Sequence, residues 1–436
     1  MYGGYMWQKH KRIGFLGLGA SNRALLMLDR FSDCEITLRS RQMPDLSGLP
    51  RGLKIRRISV GDSWLDKIDE DMLIASPSVR RDRQELTNAV ARGCVICSDA
   101  EIFFAENGLP TYGVTGSDGK STTASLIGLI LNKSGVSCPV IGNIGQPMTP
   151  MLGRGDCFTV ELSSFMLEYF APRLDVGCIT NITPNHLDWH ASFEEYRAAK
   201  LRILKNAGRT VLPSSIGDAD AVIGYGEELA QLKKRRRAQV YYTSDREAIY
   251  RNGEQLLSLS DVARREEYNV KNLMMAMAVT DGLADIEAVR QVARNFHGLE
   301  HRCELFLSRD GVDYYNSSID STPERTAATL RSLCREAVII LGGRSKGLDY
   351  RILREVLKKY AAKVVITGEN KNEIYGAIGM PDALLIDDFM EAVRVANETA
   401  RCVGTLILSP ASTSYDRFKN FEERGRFFKE IIVNCK

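Results

Sequence analysis

The stretch Val114-Thr115-Gly116-Ser117-Asp118-Gly119-Lys120-Ser121-Thr122 brings together glycines, a lysine and hydroxyls at a spacing that suits a nucleoside triphosphate. The glycines let backbone N–H groups close round phosphates, and a helix N-terminus adds positive potential. The lysine reaches the outer phosphates, and the serine hydroxyl can ligate Mg²⁺. Position 114 is valine where the standard phosphate loop has its first glycine, so the loop is the shorter T-G-x-x-G-K-S form. An ordinary turn with a solvated lysine is the alternative. The position of the loop, between a strand end at 112–114 and an apolar helix face, argues against it. Ala124, Leu126, Ile127, Leu129, Ile130 and Leu131 form that face, and Gly135 is placed to stop the helix.

Two further groups fit the same chemistry. Residues 157–162 read as a strand with Glu161 near its end, entering Ser163-Ser164-Phe165. Residues 176–182 read as another, entering Thr183-Pro184-Asn185-His186. Parallel strands point their C-termini to one edge, where ligands bind. Glu161, His186 and Ser121 would then meet beside the phosphates as a shell for Mg²⁺ or Mn²⁺. Taken singly, the glutamate and histidine would be better read as buried core groups. Lys200, in the strong helix pattern from Phe193, would by itself be read as a solvated helix residue.

The elements that must position these groups alternate strand and helix along most of the chain. Its 436 residues suggest two or three domains. A hydrophobic fraction of 44% and a charged fraction of 26% are those of a soluble globular protein. The net charge of +3 points to neither a nucleic-acid nor a membrane partner. The basic run Lys233-Lys234-Arg235-Arg236-Arg237 lacks interleaved aromatics and reads as a solvated surface segment. The ten cysteines form no framework; Cys94 and Cys97 have C-x-x-C spacing without a second pair, so idle thiols in a reducing cytosol are expected. The N-terminus lacks the apolar core of a signal peptide, and no apolar run approaches the ~20 residues that span a bilayer. A cytoplasmic protein is expected.

A first α/β domain ends near Ser98. Its opening strand, 13–18, runs into Gly17 and Gly19 like a dinucleotide fingerprint, with Asn22 in place of the third glycine. The next strand ends in Arg39-Ser40-Arg41 rather than an acidic residue, which suits a nucleotide diphosphate or NADP better than NAD. An NADP-dependent oxidoreductase is therefore a competing reading, although it leaves the phosphate loop unused. Beyond the central domain, the polar stretch 233–262 includes the hairpin signal Asn252-Gly253. The methionines of Asn272-Leu-Met-Met-Ala-Met read as core. A third domain alternates again, with a helix starting at Pro323 and strands entering Gly342-Gly343-Arg344-Ser345-Lys346-Gly347 and Ser409-Pro410-Ala411-Ser412-Thr413-Ser414.

Several stretches together resemble the Mur ligases, and among them those that add D-glutamate. They are Thr-Gly-Ser-Asp-Gly-Lys-Ser-Thr (115–122), Gly-Asn-Ile-Gly (142–145), Glu-Leu-Ser-Ser-Phe (161–165), Asn-Ile-Thr-Pro-Asn-His-Leu-Asp (181–188), Tyr-Arg-Ala-Ala-Lys (196–200), His-Arg-Cys-Glu (301–304), Leu-Gly-Gly-Arg-Ser-Lys-Gly (341–347) and the run 408–425. They stand in family order over essentially the whole chain. The last is the most specific to the D-glutamate-adding branch, and the Asp-Asn-Pro-Arg motif of the diamino-acid-adding branch is absent. A folylpolyglutamate-type ligase is the neighbouring alternative. The resemblance implies an α/β fold of three domains: Rossmann-like 1–98 for the UDP-substrate, a central P-loop-type mononucleotide-binding parallel sheet over 99–299 for ATP, and Rossmann-like 300–436 for the amino acid. It implies that ATP phosphorylates the alanine carboxylate of UDP-N-acetylmuramoyl-L-alanine and that the amine of D-glutamate attacks the acyl phosphate.

By position, the resemblance assigns Thr115, Gly116, Ser117, Asp118, Gly119, Lys120, Ser121, Thr122, Asn143, Asn269, Asn272, Arg302 and Ser317 to ATP. Ser121, Glu161 and His186 hold Mg²⁺, and Lys200 matches a lysine that the family carbamoylates, giving an anionic ligand to a second Mg²⁺. Lys120, Glu161, His186 and Lys200 form the catalytic group. Ala20, Ser21, Ser40, Arg41 and Ser78, with Asn143, Ser163 and His186, match the UDP-substrate side. Ser321, Lys346, Ser414, Tyr415 and Phe421 match the D-glutamate pocket. A monomer is the family expectation. Four stretches depart from the family pattern: Ser317 and Ile319 replace an aspartate and a lysine, Met166 a glutamine, Tyr268 a histidine, and Arg39 an acidic uracil-side residue.

Overall fold

Apolar runs of strand length alternate with helical segments and assemble into three sheets flanked by helices. The computed structural model describes residues 10–186, 189–217, 219–225, 240–345 and 347–435. The basic run 233–237, Asp188 of the 181–188 motif and Lys346 lie outside the described residues. The chain divides into two compact units, Met1–Asn295 and Phe296–Lys436. The first holds two sheets and the second holds one.

The first sheet comprises β1 (Arg12–Leu16), β2 (Glu35–Ser40), β3 (Lys54–Val60), β4 (Met72–Ala75) and β5 (Val95–Cys97), all parallel, in the order β3-β2-β1-β4-β5. Helix α1 (Ala20–Leu26) follows β1, α2 (Gln84–Ala91) precedes β5, and α3 (Asp99–Glu106) follows it. The order reverses between β1 and β4, which opens a crevice at their C-terminal ends. Asn22, in the third-glycine position, is fully buried and stitches these ends together. Its Nδ2 donates to the carbonyls of Gly17 (2.7 Å) and Ile74 (3.2 Å).

Arg39 corrects the sequence reading. It is 1% exposed, and its guanidinium pairs with buried Glu70 at 3.0 and 3.1 Å while donating to the carbonyls of Trp64, Asp66 and Lys67. With its donors used inside the sheet, it is not a phosphate ligand, and the feature that favoured NADP reduces to exposed Arg41.

The second sheet runs β14-β13-β12-β11-β10-β9-β6-β8-β7. Its strands are β6 (Thr111–Thr115), β7 (Val140–Gly142), β8 (Phe158–Glu161), β9 (Arg173–Ile179), β10 (Asn206–Pro213), β11 (Ala221–Tyr225), β12 (Val240–Ser244), β13 (Ala248–Arg251) and β14 (Glu254–Ser258). The strands from β7 to β12 pair in parallel, whereas β12-β13-β14 is an antiparallel edge, so the expected parallel sheet is mixed. Asn252 and Gly253, at φ 53° and 90°, make the turn of the β13–β14 hairpin. Helices α4 (Lys120–Lys133), α5 (Ser164–Leu167), α6 (Phe193–Leu201), α7 (Glu267–Val279) and α8 (Ile286–Asn295) complete this part. On α4 the expected apolar face is buried except Leu129, which is 46% exposed. The methionines Met274, Met275 and Met277 of α7 are core residues.

In the second unit the sheet order is β15-β16-β20-β17-β18-β19. The strands are β15 (Glu304–Arg309), β16 (Val312–Asn316), β17 (Ala337–Gly342), β18 (Ala361–Thr367), β19 (Leu384–Leu385) and β20 (Thr405–Leu408), with only β15 antiparallel. Helix α9 (Pro323–Leu333) begins at the predicted proline behind a Thr322 cap. It is followed by α10 (Arg354–Tyr360), α11 (Lys371–Ile378), α12 (Phe389–Ala400) and α13 (Phe421–Asn434).

If Arg39 is a structural residue, Arg39→Met should destabilise the first unit by about 3–5 kcal/mol, because it strands a buried carboxylate. The double variant Arg39→Met/Glu70→Met should regain most of that loss. Urea unfolding followed by circular dichroism reads both; a single variant as stable as the parent would contradict the assignment.

Candidate active site

The phosphate loop is the turn between β6 and α4. Its two glycines are required by their surroundings. Gly116 has φ 154°, and a Cβ there would overlap Thr180 Oγ1. Gly119 has φ 77°, and a Cβ there would overlap Asn272 Oδ1. The end of β9 grips the loop from outside. The N–H of Ser117 donates to Asn181 O (3.0 Å), and that of Asp118 to Asn181 Oδ1 (2.9 Å). Ser117 Oγ donates to Thr183 O (2.8 Å) and lies 2.8 Å from the Tyr196 hydroxyl. Thr115 Oγ1 donates to Leu162 O (2.6 Å). Ser117 and Thr115 thus fasten the loop to its neighbours with their side chains. The first α4 N–H groups, from Lys120 to Thr122, have no intrahelical acceptor and put the positive end of the helix dipole at the loop.

Two lysines meet on one oxygen. Lys120 Nζ donates to Gly116 O at 2.9 Å and to Ser117 O at 2.8 Å. Lys200 Nζ, carried by α6, donates to the same Gly116 O at 2.6 Å. Lys200 is 1% exposed, so it is not a solvated helix residue. Its amine also lies 4.7 Å from the Tyr196 ring centre. Burial, reinforced by the nearby Lys120 charge, pushes its pKa down to about 7, against the opposing pull of Glu161 and Asp118.

Glu161 ends β8 and is fully buried. Asn143 Nδ2 donates to its Oε1 at 2.7 Å, and Asn143 N–H to its main-chain carbonyl at 2.9 Å. The other carboxylate oxygen, Oε2, is buried and has no hydrogen-bond partner among the described residues. An orphaned carboxylate oxygen beside a phosphate loop fits a hard cation such as Mg²⁺. Ser121, at the loop's helix start, is buried, and His186 is exposed at φ 54° with its ring edge-on to Phe165 at 4.9 Å. Sequence reasoning placed Asn143 on the adenine and UDP-substrate sides. Here its amide orients Glu161.

The remaining expected residues fall into three places. Ala20 and Ser21 start α1, Ser40 ends β2, and Arg41 and Ser78 are exposed in the loops after β2 and β4, all at the C-terminal edge of the first sheet. Ser78 O accepts from Trp189 Nε1 (3.3 Å), and Ser163 caps α5. On α7, Asn272 Oδ1 accepts from Thr123 Oγ1 (3.3 Å), while Asn269 donates to Glu266 (3.0 Å). In the second unit, half-buried Arg302 precedes β15. Ser317 is fully buried, its hydroxyl accepting from Cys303 N–H (3.0 Å), so its side chain serves the interior rather than a nucleotide. Ser321 and Phe421 are half-buried, Ser414 is buried, and Tyr415 is 60% exposed. Phe421 O accepts from Ser318 Oγ (2.8 Å). Asn181, Thr180 and Tyr196, which hold the loop and surround Lys200, were not singled out as site residues. The motif segments 181–188 and 196–200 were the available signal.

Residues 114–280 match the family model described as the Mur ligase middle domain. The chain belongs to the Mur ligase family. Relatives within it are named UDP-N-acetylmuramoylalanine–D-glutamate ligase. That of Ruminiclostridium cellulolyticum is 32% identical over 98% of this chain and 97% of its own length. That of Clostridium kluyveri is 34% identical over 97% of each. The fold is also that of UDP-N-acetylmuramate-alanine ligase MurC from Thermotoga maritima, at a TM-score of 0.58 and 19% identity, covering 98% of this chain and all of that one. MurF ligase from Thermotoga maritima, solved in complex with ADP, gives 0.52 at 14% identity, covering 97% and 95%.

Removing the Asn143 amide should loosen Glu161. Asn143→Ala is expected to raise the Mg²⁺ concentration that half-saturates nucleotide binding by about 10–100-fold, the usual cost of losing an outer-shell partner. An unchanged Mg²⁺ titration would remove Asn143 from that role.

Proposed function

We propose that this protein is an ATP-dependent amide ligase that joins D-glutamate to UDP-N-acetylmuramoyl-L-alanine in peptidoglycan precursor synthesis, acting as a cytoplasmic monomer. The observation that carries the reading is the meeting of Lys120 and Lys200 on Gly116 O beside Glu161. The choice of D-glutamate is supported by the near full-length similarity to ligases named for it.

In this reading Lys120 and the first N–H groups of α4 bind the outer phosphates of ATP. Ser121, Glu161 and His186 hold Mg²⁺, which when bound offsets charge on the transferring phosphoryl group. Ala20, Ser21, Ser40, Arg41 and Ser78 bind the UDP end of the substrate. Its alanine carboxylate oxygen attacks the γ-phosphorus, and ADP leaves. The amine of D-glutamate, held by Ser321, Lys346, Ser414, Tyr415 and Phe421, attacks the acyl carbon. The tetrahedral intermediate loses phosphate and a proton to leave the amide.

Lys200 acts in this scheme as a carbamate. Its neutral amine attacks CO₂ and loses a proton, which converts a buried cation into an anionic oxygen ligand for a second Mg²⁺. Only the unprotonated amine can react, and a pKa near 7 makes that form abundant at neutral pH.

ADP release with Mg²⁺, ATP and UDP-N-acetylmuramoyl-L-alanine should require D-glutamate. L-glutamate, L-lysine, diaminopimelate and D-aspartate should not replace it, and turnover with one of these alone would overturn the substrate assignment. At fixed dissolved CO₂, activation by CO₂ should strengthen from pH 6 to 8 as Lys200 loses its proton. ¹³C-labelled CO₂ should give a carbamate resonance that Lys200→Ala lacks. Full activity in CO₂-depleted buffer, with no such resonance, would refute the carbamate.

A further inference from the structure

A second cluster, a buried histidine between two half-buried glutamates, lies near the segments that carry His186 and Lys200 and is left without a role by the ligase chemistry. His190 is 1% exposed, and neither ring nitrogen has a hydrogen-bond partner among the described residues. Buried polar groups in native proteins are nearly always satisfied, so an imidazole that the described residues leave unsatisfied is open to a bound water or ion. Its Nδ1 lies 3.7 Å from Glu168 Oε2 and 3.7 Å from Glu195 Oε1, beyond hydrogen-bond reach of both. The Glu168 oxygen is itself buried and is ion-paired with Arg202 Nη1 at 3.3 Å without a well-directed hydrogen bond. Glu195 Oε2 accepts from Ala191 N–H at 2.9 Å, and its Oε1, which accepts from Arg80 Nη2 at 3.4 Å, is the oxygen near the imidazole.

The spacing is that of ligands round an ion. All three atoms lie within 4.8 Å of one another. A point equidistant from atoms so placed is roughly 2.1–2.4 Å from each, close to the lengths of Zn–N and Zn–O bonds. Each carboxylate also has a guanidinium neighbour with which an ion would compete. Arg202 Nη1 is 3.3 Å from Glu168 Oε2, and Arg80 Nη2 is 3.4 Å from Glu195 Oε1. Arg80, however, is already gripped by both oxygens of Asp82, at 2.6–3.1 Å. Among the described residues, Arg80 is thus shared between Asp82 and Glu195.

We propose that Glu168, His190 and Glu195 form a binding site for a divalent first-row transition ion, best matched by Zn²⁺. One imidazole and two carboxylates are a zinc-type donor set rather than the all-oxygen set that Mg²⁺ and Ca²⁺ prefer. The ion would join the end of α5, the turn at 189–190 and the first turn of α6. Lys200 sits in the last turn of α6, and His186 O accepts from His190 N–H at 3.0 Å. The site is thus placed to fix the separation of two residues of the ligase centre, as a positioning device rather than a catalytic group.

The test is a calorimetric titration of zinc chloride alone, without nucleotide, into metal-stripped full-length protein and its variants. Glu161→Gln, which alters the Mg²⁺-directed group, should keep the tight zinc equivalent. Glu195→Gln and His190→Ala should each lose it or weaken it at least tenfold, with circular dichroism reporting that they remain folded. If His190→Ala does not fold, the near-isosteric Glu195→Gln decides. X-ray absorption of the one-zinc form should show nitrogen and oxygen neighbours and no sulfur. Absence of a tight equivalent in the parent, or one that Glu195→Gln leaves unchanged, would overturn the proposal. Because no substrate is used, the result is independent of the ligase assignment.

Discussion

The carbonyl oxygen of Gly116 accepts from two lysine amines, and the chemistry of the site follows from that crowding. At 2.6 and 2.9 Å from one acceptor the two amines crowd each other, Lys200 buried and Lys120 half-buried. Burial, and after it the neighbouring Lys120 charge, favours loss of a proton from Lys200. Lys200, the more buried, is the one whose pKa falls. Lys120 stays at the mouth of the loop, where phosphate charge would be met. The same surroundings separate the two lysines: Lys200 is an amine sealed in the interior with a lowered pKa, and Lys120 lies half-buried at the loop.

That arrangement depends on how the loop is held. Gly116 can bring its carbonyl to both amines only with a backbone that a side chain would forbid, because Thr180 occupies the space of a Cβ. Thr180 in turn donates to Asp118 O at 2.5 Å, and Asn181 takes the N–H groups of Ser117 and Asp118. Those two donors are therefore closed to phosphate. The N–H groups left open are those of the first turn of α4, beside Lys120, which concentrates positive potential at one point rather than along the whole loop.

What could be read from the sequence was local. Glycine spacing, the α4 stripe, the Asn252-Gly253 hairpin and the proline start of α9 each depend on neighbours along the chain. Strands β3 and β10 escaped because their runs, Lys-Ile-Arg-Arg-Ile-Ser-Val and Asn-Ala-Gly-Arg-Thr-Val-Leu-Pro, carry too many polar residues for a buried-strand pattern. The harder errors concern partners distant in sequence. Arg39 looked like a phosphate ligand because strand-end arginines often are, and only the path of the chain through 64–70 brings Glu70 and three carbonyls round it. Lys200, placed in the catalytic group by resemblance, would look solvated from its polar helix alone, and only the β6–β9 pairing puts Gly116 O under its amine. Helical and strand periods tell which face is apolar; they do not tell which polar groups will meet.

The missing first glycine of the loop has its explanation in the same sheet. Val114 is fully buried and pairs in register with Glu161 on one side and Cys178 on the other. A glycine turn at 114 would break both pairings and withdraw the strand that aligns Glu161 with the loop. By keeping β6 extended to Thr115, the chain shortens the turn but holds the carboxylate, the loop and the end of β9 in one register. The grip on the loop that a longer turn would supply from its own backbone comes instead from Thr180, Asn181 and Thr183. The short loop is therefore coupled to the 181–186 segment, so that the residues closing round the phosphates and the histidine expected at the metal belong to one mechanical unit.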